Sequence, residues 1–134
     1  MKQLSNVCVF TEDGQSAKAL YTHLISPKDH KQLEDLKKSP AFFNSFIDKE
    51  YDLRVTVVGE RIFAVRIFSQ QFTESKVDFR REKGDLKMEV CKLPDELTDK
   101  IMKLMHHFQL NFGALDFAVD KEGRFWFLEI NAEG

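Results

Sequence analysis

Asp116, Glu129 and Asn131 place three oxygen donors inside LDFAVD and FWFLEINAEG, two stretches that are otherwise strongly apolar. Carboxylates are seldom buried unless they are paired or bound to metal, so these side chains either face solvent or hold something. Gly113 to Asp120 and Phe125 to Asn131 read as two strands joined by Lys121-Glu122-Gly123-Arg124, a connection with a turn-forming glycine, and hence as a hairpin. Side chains alternate across a sheet. Leu115, Phe117 and Val119 therefore share one apolar face of the first strand, and Trp126, Leu128 and Ile130 share one of the second. The opposite face carries Asp116 beside Glu129 and Asn131, and a four-residue loop sets Asp116 across from Glu129. Two carboxylates at cross-strand distance repel, and a divalent cation between them removes that repulsion. An all-oxygen set without Cys or His suits a hard ion, Mg²⁺ or Mn²⁺. Spacing alone leaves a half-solvated hairpin with ordinary polar residues outside as an equal reading.

Two further groups bear chemistry. In DLRVTVVG, Asp52 and Arg54 are two apart and project from one face of a strand. They form either a surface salt bridge of little worth, the reading that spacing alone favours, or a ribose-hydroxyl acceptor beside a phosphate clamp. VDFRREKGD sets Arg80 and Arg81 in a polar connector, a solvated loop unless it folds over a nucleotide. His106 and His107 are adjacent on a helix and point apart, which excludes the paired spacing of a zinc protease. The glycines are scattered, so neither a phosphate-binding loop nor a dinucleotide fingerprint is present, and serine and cysteine nucleophile motifs are absent.

The elements that must position these residues follow from pattern. Asn6 to Phe10 and Ala17 to Thr22 read as short strands, and Ser26-Pro27-Lys28-Asp29 starts a surface helix running to about Lys37. An extended segment from Pro40 to Ile47 follows. Asp52 to Val58 and Arg61 to Phe68 form a hairpin around Gly59-Glu60, and Met88 to Leu93 is a further strand. Pro94-Asp95-Glu96 opens a second helix whose Leu97, Ile101, Leu104, Met105 and Phe108 recur at helical spacing and mark its buried stripe. An antiparallel-rich sheet with helices packed on one side is an α+β layer fold. With 134 residues, 43% hydrophobic and 31% charged, the chain supports one folded domain and no internal boundary. A net charge of −2 gives no basic field for nucleic acid or an anionic membrane, and no apolar run reaches spanning length. Cys8 and Cys91 have neither metal-binding nor redox spacing, and without a secretory signal a reduced cytoplasmic setting is expected.

Taken in order, MKQLS, VFTEDGQ, ALYTHLIS, SPAFFNSFIDKEYDLRVTVVGERIFAVRI, DFRREKGD and QLNFGALDFAVDKEGRFWFLEINAEG resemble the ATP-grasp ligases over essentially the whole chain. The resemblance is closest to the peptide maturases that cross-link graspetides of the microviridin type; ribosomal-protein glutamate ligases and glutathione synthetases are more distant. It implies the carboxy-terminal subdomain of an ATP-grasp domain, so that residues 1–134 lack an amino-terminal substrate domain and the first ATP-grasp half. It further implies that Asp116, Glu129 and Asn131 are Mg²⁺ ligands and that Lys2 is a phosphate-contacting lysine. The stretch Phe43, Asn44, Ser45, Phe46 and Ile47 matches the hinge whose backbone recognises adenine. Asp52 falls where an acid holds the ribose, and Arg54 and Arg80 where arginines line the phosphates and serve the reaction. The hinge departs from the family's usual Phe-Gln-Glu, and Ala132 stands where proline usually follows the metal-binding asparagine.

The implied activity is ATP- and Mg²⁺-dependent joining of a carboxylate to an amine or alcohol through an acylphosphate, giving amide or ester cross-links in a ribosomally made precursor peptide. Alternatives are a ligase for a small molecule or a protein tail, and a nucleotide-binding module without catalysis. Residues 1–134 alone are expected to turn over negligibly, and the surface where the other subdomain docks is expected to drive self-association. The metal reading makes one geometric demand. Paired residue numbers across the last hairpin must sum to an odd value, so that Asp116 joins Glu129 and Asn131 while Trp126, Leu128 and Ile130 join Leu115, Phe117 and Val119 inside.

Overall fold

The computed structural model describes residues 9–10, 17–18, 24–26, 43–73, 76–78 and 86–133. Two short strands, β1 (Val9–Phe10) and β2 (Ala17–Lys18), pair antiparallel within the two strands expected there. Apart from Ser26, the helix expected from Ser26 to Lys37 lies outside the described residues. The main sheet is built from β3 (Lys49–Val58), β4 (Arg61–Ile67), β5 (Met88–Cys91), β6 (Phe112–Asp120) and β7 (Phe125–Asn131). Its spatial order is β5-β4-β3-β6-β7, with every neighbouring pair antiparallel. Between β5 and β6 runs one helix, α1 (Asp95–His107). This is the α+β arrangement expected from the sequence.

β-Branched and aromatic residues suited to strands run through both hairpin strands, Tyr51, Val55, Thr56, Val57 and Val58 in β3 and Ile62, Phe63, Val65 and Ile67 in β4, and the reversal between them needs only Gly59 and Glu60. Gly59 adopts a φ of 57°, the left-handed region that a residue without Cβ enters freely. Alternation then divides the sheet. Leu53, Val55 and Val57 of β3 and Leu115, Phe117 and Val119 of β6 point to one side, where Ala64, Leu93, Ile101 and Met105 join them in a single buried cluster. Ile101 and Met105 are the innermost residues of the α1 stripe, with Leu97 and Leu104 partly buried beside them. Met105 lies so close to β6 that a Cβ on Gly113 would stand 3.0 Å from its sulfur and from Ile130 Cδ1, which accounts for glycine there.

Phe108 departs from the expected stripe: it is 58% exposed. It is the residue at which α1 ends, and Gln109 turns into the left-handed region with φ 54°, sending the chain back toward β6 before Phe108 reaches the core. Its ring lies edge-on to His107 instead, with centroids 4.9 Å apart.

Leu115 sits at the centre of this packing with no exposed surface. Leu115→Ala is expected to destabilise the fold by roughly 2–5 kcal/mol through lost transfer energy and the cavity left behind. Urea unfolding followed by circular dichroism should show a lower midpoint with an unchanged slope.

Candidate active site

The second face of the sheet carries the polar residues. On β6, Asp116 pairs directly with Arg54 of β3 on one side and with Glu129 of β7 on the other. Directly paired residues share a face, so the three side chains form a row across the sheet. Asn131, opposite Ala114, continues it one step along β7. Asp116 thus lies on the Glu129/Asn131 face.

The core half of the hairpin is paired differently. Asp116 faces Glu129, but Phe117 faces Phe127 and Ala118 faces Trp126, with an irregularity between Asp116 and Phe117. One extra residue, Leu128, is accommodated in β7, which makes a β-bulge. The odd-sum register holds from Asn131 to Glu129 and gives way to an even sum beyond Leu128. Trp126, Leu128 and Ile130 therefore do not share a face. Ile130 joins the core, whereas Trp126, 43% exposed, crosses to the face of Ala118 and Asp116. Phe127 takes the place opposite Phe117, ring edge against ring at 5.6 Å.

Arg54 Nη1 donates to both oxygens of Asp116 at 3.1 Å, with the guanidinium-bearing side chain 39% and the carboxylate side chain 17% exposed. The guanidinium thus offsets the charge that two facing carboxylates would otherwise carry. Two opposed carboxylates and an amide suit a hard oxygen-coordinated cation. Asn131 Oδ1 already accepts the Glu133 N–H at 3.0 Å, which fixes the amide's orientation. No group of three His, Cys, Asp or Glu side chains converges among the described residues, so any such cation would depend on the Asn131 oxygen or on ligand oxygens as well.

The remaining expected residues are dispersed. Residues 43–47 have no regular secondary structure, are mostly exposed, and stand one residue before β3. Asp52 is buried rather than displayed, with Lys49 Nζ 2.7 Å from each of its oxygens and well aligned only to Oδ1. Burial raises its carboxyl above the ordinary range, and the Lys49 ammonium and Ser69 hydroxyl offset only part of that. Lys2 and Arg80 lie outside the described residues.

A second buried carboxylate, Asp120, closes the β6–β7 turn. It accepts from the Trp126 indole at 2.8 Å, the Arg124 Nε at 2.7 Å, and the backbone N–H groups of Arg124 and Glu122 at 2.9 and 3.1 Å. Burial opposes its ionisation, but these donors together outweigh it and pull the carboxyl down to about 2. Arg124 also lies over the Trp126 ring, 5.6 Å from its centroid. The network therefore holds Trp126 on the second face once the bulge has sent it there. Sequence reading passed over Asp120, because an acid before a turn is ordinarily a solvated turn residue.

Two outcomes follow. With its folded value below its ordinary 3.8, Asp120 contributes stability that is complete above about pH 4 and lost as pH falls through about 2. Asp120→Asn should flatten that acid limb in urea unfolding measured from pH 2 to 6. At the row, Arg54→Met should cost about 1 kcal/mol or less in magnesium-free buffer. Added Mg²⁺ should then raise the melting temperature of the variant more than that of the wild type.

No protein-family model and no curated protein matches the chain. Solved structures do. A RiPP-associated ATP-grasp ligase from Chryseobacterium gregarium, in complex with ADP and a leader and core peptide, is 31% identical with a TM-score of 0.83, over 92% of this chain and 38% of that one. The macrocyclase MdnC from Microcystis aeruginosa MRC, bound with precursor peptide MdnA, is 34% identical with a TM-score of 0.82, over 99% of this chain and 40% of that one. The macrocyclase MdnB of the same organism is 27% identical with a TM-score of 0.55, over 86% of this chain and 38% of that one. The chain spans about two-fifths of the length of these relatives. Over 92% and 99% of its length the chain shares the fold of these two ATP-grasp ligases, at 31% and 34% sequence identity.

Proposed function

We propose that this chain forms the metal- and nucleotide-facing part of an ATP- and Mg²⁺-dependent ligase that cross-links a ribosomally made precursor peptide. The observation that carries this reading is the row Arg54, Asp116 and Glu129, with Asn131 beside it, in a fold shared with peptide-bound RiPP ligases. Asp116, Glu129 and Asn131 hold the cation, which when bound neutralises phosphate charge. The backbone of residues 43–47 takes adenine, Asp52 the ribose, and Arg54 with Lys2 and Arg80 the phosphates. Arg54 has both duties within reach: it steadies Asp116 from β3, and its side chain remains partly exposed for an anion.

In the reaction, a carboxylate oxygen of the peptide attacks the terminal phosphorus of ATP, ADP leaves, and an acylphosphate forms. An amine or hydroxyl of the same peptide then attacks the acyl carbon; phosphate departs and the nucleophile's proton is released. Each link, amide or ester, thereby removes the elements of one water from the peptide. The protein's part is alignment and charge neutralisation, with no covalent enzyme intermediate.

The test uses the ligase that contains this chain, ATP, Mg²⁺ and the precursor peptide encoded beside its gene. Mass spectrometry should show loss of one water per link, abolished by Asp116→Ala and by Glu129→Gln. Because Arg54 already offsets the facing carboxylates, Glu129→Gln should change stability by no more than about 0.5 kcal/mol. A peptide that loses no water overturns the macrocyclisation reading. Steady ADP release by residues 1–134 alone, sensitive to Asp116→Ala, overturns the expectation that the complete cleft is required.

A further inference from the structure

Lys49 and Asp52 are three apart, and in a regular strand such residues point to opposite faces. Here they meet. Lys49 pairs with Asp120 while Tyr51 pairs with Val119, so Glu50 is an extra residue and the resulting bulge turns Lys49 onto the face of Asp52. Around this pair close Ser69, in the short 3-10 turn Ser69–Gln71 after β4, and Asp78 farther along the same connector; all four residues are under 9% exposed. The ammonium also lies 3.5 Å from the Val77 carbonyl, and Gln70 Nε2 donates to the Lys76 carbonyl at 3.2 Å. Lys49 thus stands where three segments join: residues 43–48, β3, and the connector after β4.

The cluster is poorly explained by stability. An ammonium and carboxylate taken out of water recover only part of their hydration through each other, and an apolar pair of similar volume often serves the fold as well. Asp78 adds a second negative charge that works against ionised Asp52. What the ionic pair supplies, and apolar packing does not, is a fixed position for a carboxylate near the start of β3, where residues 43–48 enter the sheet.

We propose that Lys49 is a positioning residue of the nucleotide site: its buried ammonium fixes the Asp52 carboxylate and, through the Val77 carbonyl, ties residues 43–48 to the connector after β4. The inference rests on the reading of residues 43–47 and Asp52 as adenine and ribose contacts. In that reading Lys49 touches no part of the nucleotide and acts only through the groups it holds.

The test compares Lys49→Met, Lys49→Arg and the double variant Lys49→Met/Asp52→Asn, by amide hydrogen exchange in the 134-residue chain and by MgATP titration of the ligase that contains it. In Lys49→Met, amides of residues 46–49 and 76–78 should exchange about tenfold faster while those of α1 and β6 keep their protection. MgATP affinity should fall about tenfold. Lys49→Arg, which keeps the charge and the donors, should restore both. The double variant removes the uncompensated carboxylate; if folded, it should still show fast local exchange and weak binding. Wild-type exchange and affinity in Lys49→Met or in the double variant overturn the proposal. So does a loss of protection spread evenly over the sheet in every variant, which marks Lys49 as a stability residue only. A wild-type ligase that binds no MgATP removes the nucleotide reading, whereas the exchange arm still decides whether Lys49 ties the two segments.

Discussion

The antiparallel pairing of β3 with β6 is the constraint on which the rest of the sheet depends. β3 is the central strand and β6 its neighbour, and their register from Tyr51↔Val119 to Val58↔Phe112 does two things at once. It stacks Leu53, Val55 and Val57 against Phe117, Leu115 and Gly113 beneath α1, and it brings Arg54 level with Asp116 on the other side. Because side chains alternate with a period of two, no shift by a single residue preserves either result. Hydrophobic packing and the charged row are consequences of one alignment, and the large apolar contribution is what holds the small electrostatic one in place.

Charge on the second face is managed by three different devices. Arg54 and Asp116 are partly exposed, and solvent moderates both their attraction and their cost. Asp120 is enclosed by donors from its own turn and from Trp126, so its charge is favoured despite burial. Asp52 is enclosed with one ammonium and a neighbouring acid, and burial prevails over pairing. Asp52 and Asp120 lie within one face of a small sheet and differ in ionisation chiefly through the number of donors around each.

Much of this was legible in the sequence where periodicity was strong. The apolar positions of β3, β4 and β6, the stripe Leu97, Ile101, Leu104 and Met105, and the turn at Gly59 all follow from local pattern. The facing of Asp116 and Glu129 follows from the same alternation. What escaped were the places where one residue is inserted. A bulge has no local signature in the run WFLE or in KEYD, so alternation places Trp126 in the core and sets Lys49 on the face away from Asp52. The Arg54–Asp116 pair escaped for another reason: its members stand 62 residues apart, and strand order decides such a meeting. Patterns within a strand do not contain that order.

The extra residue at Leu128 bears on how β7 can vary over generations. Upstream of it, Trp126 and Phe127 answer to a turn and to packing; downstream, Glu129 and Asn131 answer to the polar row. A length change at this one position leaves both halves in register. Deleting the codon for Leu128 would restore regular alternation and keep every pairing, Glu129 opposite Asp116, Phe127 opposite Phe117 and Trp126 opposite Ala118. Substitutions at Leu128 are equally open, since the residue is half-exposed and lies between the registers. In a lineage carrying this hairpin, both the identity and the presence of that residue are free to drift.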